Sequence, residues 1–181
     1  VRPLIFGTDP VLGVKPATEF EFRIFVSPVG NYFAGGVKPL NLRISDYDRA
    51  APVGTGHIKA GLNYAMSLYP IVEAHEQGYD ENLYLDPLTR TYIEETGGAN
   101  IIFISKDGSL VTPRSNTILP SITRRSIVEI CRDRLGMNVE ERKIALEELA
   151  DMKECALCGT AAVVSPVGTI TASDRTYTFN S

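Results

Sequence analysis

The chain has 181 residues, 44% of them apolar and 22% charged, which is enough for an ordinary buried core. A formal net charge of -4 supplies no basic footprint for nucleic acid, and no apolar run approaches the roughly 18 residues that read as a membrane span. Cys131, Cys155 and Cys158 are too few for a disulfide framework; they point to a reducing compartment, and with no signal-peptide pattern a cytoplasmic location is expected.

Residues 1–7 are a short apolar stretch ending in a turn. Pro10, Gly13 and Pro16 make 8–17 a loop. Over 19–26, Phe20, Phe22, Ile24 and Val26 alternate with other residues, the period of a half-buried strand. Turn residues dominate 28–36, and 37–46 reads as an extended linker, a domain boundary. A glycine-rich approach, Gly54-Thr-Gly56, leads to Lys59. The pattern over 63–77 predicts a helix ended by Gly78, kinked or restarted at Pro70. Two hairpins follow: 82–85 with 91–95 around Asp86-Pro87, and 99–105 with 109–112 around Asp107-Gly108. A helix is predicted over 121–135, with Ile127, Ile130, Cys131 and Leu135 on its buried face and Gly136 as its stop. Residues 146–152 read as a short acidic helix, and 155–167 as an apolar strand broken at Gly159-Thr160. Hairpins interleaved with helices argue for a mixed α+β fold and against a doubly wound parallel sheet. The chain opens without methionine inside apparent strand sequence and stops without an obvious terminal element, so it reads as a piece of a longer protein.

Several residues carry possible chemistry. Lys59 has small or apolar neighbours, which suits a partly buried amine of the kind Schiff-base chemistry uses. Tyr64, five residues on, suits a hydrogen bond to a ring oxygen, or a place in the core. Glu95 opens the run Glu95-Thr-Gly-Gly-Ala-Asn100; a carboxylate there could hold a pyridine nitrogen protonated, or be a solvated turn residue whose replacement leaves the fold intact. Ser121, Ile122 and Thr123 open a helix, where free amides attract anions and Ser121 also suits an N-cap. Thr160, Ala161 and Ala162 give a second cluster of one hydroxyl and accessible amides. The spacing Cys155-Ala-Leu-Cys158 could serve zinc, but two more ligands would be needed and His57 and His75 are distant, so buried strand cysteines and no metal are expected.

Taken in order, Ser27-Pro-Val-Gly-Asn-Tyr-Phe33, Arg49-Ala-Ala-Pro-Val-Gly-Thr-Gly56, Lys59-Ala-Gly-Leu-Asn-Tyr64, Glu95-Thr-Gly-Gly-Ala-Asn100, Leu119-Pro120 and Gly159-Thr-Ala161 resemble the branched-chain aminotransferases of the fold type IV (class IV) pyridoxal-phosphate enzymes. The resemblance covers nearly the whole chain. It implies a mixed α/β large domain with a pseudo-barrel at 47–181, incomplete at its C-terminal end. A linker at 33–46 and the remnant of a small N-terminal domain with an interdomain loop at 1–32 would precede it. The implied cofactor is pyridoxal 5'-phosphate (PLP), bound covalently by Lys59. Tyr64 would meet the ring oxygen, Glu95 the pyridine nitrogen, and Ser121, Ile122, Thr123 and Thr160 the phosphate. Ala161 and Ala162 would offer amides to the substrate carboxylate. Arg2 would contact substrate, and Leu12 and Val14 would reach a neighbouring subunit's pocket. The implied reaction passes the amino group of L-leucine, L-isoleucine or L-valine to 2-oxoglutarate in a homodimer, with amino acids and 2-oxo acids as the only partners.

The chain departs from the family pattern in places. Family members are longer and carry a phosphate-binding arginine in the absent part. A redox cysteine pair found in animal relatives falls here on Ala162 and Ser165. Gly98 stands where some relatives have threonine, and Pro70 is unexpected in its helix. The competing readings are a D-amino-acid aminotransferase or aminodeoxychorismate lyase of the same fold, or a catalytically inert binding module.

Overall fold

The computed structural model describes residues 1–30, 38–173 and 175–180. The chain divides into two compact units, Val1–Tyr32 and Phe33–Ser181. In the first, β1 (Arg2–Gly7) and β2 (Phe20–Phe25) pair antiparallel, with Arg2 opposite Phe25 and Gly7 opposite Phe20. Asp9 pins the intervening loop, its carboxylate accepting from the amides of Thr18 at 2.9 Å and Glu19 at 3.1 Å. Strand β2 forms where the alternation predicts it, but it is not half-buried. Phe20 and Phe22 are 61% and 62% exposed, and Ile24 and Val26 are exposed as well. A ribbon of two strands has no second layer within its own unit to bury that face.

The second unit contains β3 (Leu40–Ile44), α1 (Gly61–Ala65), α2 (Leu68–Glu76), β4 (Glu81–Leu85), β5 (Ile93–Thr96), β6 (Asn100–Ser105), β7 (Leu110–Pro113) and α3 (Ile122–Asp133). It continues with β8 (Val139–Arg142), a 3₁₀ turn at Leu146–Asp151, β9 (Met152–Gly159), β10 (Val163–Thr171) and β11 (Thr176–Thr178). Nine strands form one mixed sheet in the order β5-β4-β3-β10-β9-β6-β7-β8, with β11 paired to β10. The pairs β3/β4, β3/β10 and β7/β8 are parallel and the others antiparallel. The sheet curls on itself. Ile93 N donates to Ile144 O at 2.8 Å and Leu146 N to Thr91 O at 3.0 Å, so edge strand β5 meets the chain leaving the opposite edge, β8. This is the mixed, pseudo-barrel arrangement that the resemblance implies.

Leu40, Leu42, Leu83, Ile101, Phe103, Leu157 and Ile170 fill the main core. On the other face of the sheet, Ile102, Leu110 and Cys158 pack with Val128 and Cys131 of α3. Successive strand residues point to opposite faces, so Cys155 lies in the main core and Cys158 in the smaller one; both are buried and unpaired.

Several expectations need correction. The supposed linker at 37–46 contains a central strand: Leu40 and Leu42 are buried in the sheet. Residues 31–37, which hold part of that linker and of the 28–36 turn segment, lie outside the described residues. The single helix at 63–77 is two, α1 and α2, broken at Met66-Ser67. Pro70 is the third residue of α2, where its missing N–H has no partner to lose. Helix α3 buries Arg124, Val128 and Cys131, an i, i+4, i+7 stripe, while Ile130 and Leu135 are exposed. Strands β8 and β11 were not anticipated. The apolar run at 155–167 is the β9/β10 hairpin turning through Thr160, Ala161 and Ala162.

Candidate functional site

Lys59 lies in the loop before α1. That loop is held by Asn63, whose buried side-chain amide donates to Thr55 O at 2.7 Å and Ile58 O at 2.9 Å. Gly56 fits against the backbone of Thr117 so closely that any Cβ would overlap the Thr117 carbonyl and sit 2.9 Å from the Ala50 Cβ. Lys59 Nζ is 2.8 Å from the Tyr64 hydroxyl and 4.8 Å from the centre of its ring. The two side chains are therefore neighbours, and the lysine is exposed, not partly buried.

Glu95 is on β5 and is 3% exposed. It is not a solvated turn residue. Its Oε1 is 2.9 Å from Arg49 Nη2 and accepts from the Leu119 amide at 2.8 Å. Its Oε2 accepts from the Asn100 side-chain amide. Burial pushes the Glu95 carboxyl up to about 7; Arg49, the Leu119 amide and Asn100 pull against it without winning, because removing water from so deep a carboxylate costs more than these donors return. The adjacent Glu94 points the other way and is held by the hydroxyls of Ser115, at 2.8 Å, and Thr117.

Arg49 is the residue that sequence reasoning missed as a participant. It is 4% exposed, and besides Glu95 it donates to Gly56 O at 2.9 Å and to Thr117 O. It thereby links the Lys59 loop, the Glu95 strand and the segment leading to α3. A clue was present in its place at the head of the Arg49-to-Gly56 motif, but nothing local names its partner 46 positions away.

At the start of α3 the donors are already divided. Ser121 Oγ accepts from Arg124 N at 3.2 Å, a true N-cap, and Ser121 N donates to Leu119 O at 2.8 Å. The Ser121 amide is thus bonded within its own turn. The first-turn amides of Ile122 and Thr123 donate to no acceptor among the described residues. The hairpin turn with Thr160 follows β9, where Cys158 is registered opposite Asn100, so the turn extends beside the Glu95 network. Thr160 and Ala161 are exposed; Ala162 is buried and its carbonyl accepts from Ser165 Oγ at 2.8 Å. Val163, which ends the turn, has φ +55°, a left-handed setting that a β-branched residue adopts at a cost of about 1–3 kcal/mol. Arg2 begins β1 and Leu12 and Val14 are fully exposed in the loop after it, all in the other unit.

A buried carboxylate backed by a guanidinium, an exposed amine on a phenol, two free helix amides and a hydroxyl-bearing turn form a donor set that fits a phosphorylated pyridine aldehyde. Two buried atoms around Glu95, Arg49 Nε and Asn100 Oδ1, have no hydrogen-bond partner among the described residues.

The branched-chain-amino-acid aminotransferase of Helicobacter pylori is 46% identical over 181 residues, covering 99% of this chain and 53% of that protein. Among solved structures, the branched-chain aminotransferase of Thermoproteus uzoniensis with norvaline superposes with a TM-score of 0.82 at 26% identity, covering 98% of this chain and 58% of that one. The PLP (holo) form of the Thermobaculum terrenum enzyme gives 0.68 at 34% identity, covering 83% and 47%. The chain spans about half the length of the curated relatives it matches. Residues 1–170 match the amino-transferase class IV family, and the chain belongs to that family.

Proposed function

We propose that the protein transfers the amino group of L-leucine, L-isoleucine or L-valine to 2-oxoglutarate by way of PLP, working as a homodimer in the cytoplasm. The observation that carries this reading is the pairing of Lys59 with Tyr64 on a loop tied, through Arg49, to a buried Glu95. The relatives described above support it, since their names give branched-chain amino acids as substrates and one was solved in its PLP form.

Bound PLP supplies an electron-accepting ring that carries the amino group between donor and acceptor. Lys59 would hold it covalently through Nζ and then take and return the substrate proton. Tyr64, already bonded to that nitrogen, orients it. Glu95 would face the ring nitrogen as an anion and favour its protonated form. The Ile122 and Thr123 amides and Thr160 would hold the phosphate, and the amides of Ala161 and Ala162 the substrate carboxylate. Arg2 would grip substrate, and Leu12 and Val14 would serve a neighbouring subunit's pocket. The exposed apolar face of β2 suits burial in an assembly.

Borohydride reduction of the protein incubated with PLP, followed by peptide mass mapping, tests the reading. A phosphopyridoxyl group on the peptide containing Lys59 is expected; modification confined to other lysines, or none at saturating PLP, rejects it.

A further inference from the structure

We propose that Arg49 is a positioning residue of the cofactor pocket: its buried guanidinium holds the Glu95 side chain in place, favours its anionic form and clamps the Lys59 loop to the segment before α3. The inference rests on the reading of this pocket as a PLP site.

One nitrogen, Nη2, donates to Gly56 O and Thr117 O and forms an ion pair with Glu95 Oε1, so it meets three acceptors. Each lies on a different segment, so a single planar group fixes three pieces of chain relative to one another. Of the three acceptors only Glu95 is charged. A guanidinium buried this deeply is costly unless an anion neutralises it, and the same holds in reverse for Glu95. Arg49 therefore favours the ionised form of Glu95 against the burial that opposes it. A purely structural arginine would be expected to use its donors fully. Here Nε is buried without a partner among the described residues, as is Oδ1 of Asn100, the other side chain that grips Glu95. The network is centred on the carboxylate and leaves polar capacity around it. The clamp also explains Gly56: with any side chain there, the loop could not come close enough for its carbonyl to reach Arg49.

The test needs no turnover. In cofactor-free protein carrying ¹³C-labelled glutamate, the Glu95 carboxyl resonance, assigned with Glu95→Gln, is titrated against pH. In Arg49→Gln its midpoint should rise by at least about one pH unit, because the cation favouring the anion is gone. In Arg49→Lys, which keeps the charge but cannot reach all three acceptors, the midpoint should stay near the unaltered one. Capture of PLP at Lys59 should nevertheless weaken about tenfold, a loss typical of supports lying just behind a binding group. A folded Arg49→Gln protein with an unmoved Glu95 midpoint overturns the proposal, as does Arg49→Lys capturing PLP as well as the unaltered protein. If Arg49→Gln does not fold, the Arg49→Lys capture result decides alone. Should the unaltered protein fail to capture PLP while the Glu95 midpoint still follows Arg49, the cofactor reading fails and the Arg49–Glu95 coupling stands.

Discussion

The consequence of burying Glu95 against Arg49 is that neither residue can be altered for function alone. Arg49→Met leaves the buried Glu95 carboxyl without its counter-ion and should cost about 3 kcal/mol of stability, in the range for breaking a buried ion pair. The double variant Arg49→Met with Glu95→Gln should be destabilised by less than the sum of the two single changes, with a coupling of about 1–3 kcal/mol in urea unfolding. Additive losses would show that the two side chains act independently. That Lys59 and Tyr64 are neighbours was legible in the sequence, because only five positions separate them. The depth of Glu95 was not. Glycines at 97 and 98 suggest a solvated turn, whereas the barrel closes over the strand just before them. Arg49 was illegible for the same reason, since a charged residue announces neither its burial nor a partner brought by the curl of a sheet.

At the level of elements, helix α3 starts as its sequence suggests, and its cap gives a clean separation of roles. Ser121→Ala should remove the bond to the Arg124 amide and cost about 1 kcal/mol, yet leave PLP affinity nearly unchanged, because the Ser121 amide is already bonded to Leu119. A tenfold loss of PLP affinity at preserved stability would return Ser121 to the phosphate site. Gly56→Ala should do the opposite and disturb both, since its methyl would meet the Thr117 carbonyl; calorimetry should show a loss of about 1–3 kcal/mol together with impaired capture at Lys59. Hairpins and helices were readable where turn residues punctuate them. Strand β3 was missed because Arg43 reads as surface; in fact its guanidinium is satisfied by Asn82 at 2.9 Å, Gln77 at 2.7 Å and Glu73 at 2.6 Å, residues reached only once α2 and β4 have packed. Strand β8 was missed because Glu140, Glu141 and Arg142 look like a solvated run, although an edge strand tolerates such charges well.

For the whole molecule, pH should act through three carboxyls. Burial lifts Glu81 and Glu95 from 4.5 to about 7, so the stability they contribute is full below about 4.5 and is lost as pH rises through about 7. Asp86 behaves in the opposite sense. Burial would raise it, but the amides of Tyr92, Thr89 and Thr91 outweigh that and hold it at about 2, so its contribution is present above 3.8 and lost as pH falls through about 2. Unfolding midpoints in urea should therefore be highest between roughly pH 4 and 5 and decline toward pH 8, and Glu81→Gln should flatten that decline; an unchanged slope would refute the assignment to Glu81. The order of the sheet has a further outcome, in time. Strand β3, near residue 40, lies between β4 and β10, and in the order of the sheet β10 stands between β3 and β9. Until residues 163–171 have left the ribosome, the early strands have no neighbour to complete them, and Leu40 and Leu42 wait uncovered. A nascent chain of this kind acquires its core late and nearly all at once, with long loops to close and a folding time toward the slow end for its size. It would depend on chaperones while growing, and amide exchange in the finished protein should show Leu42 and Ile170 opening together.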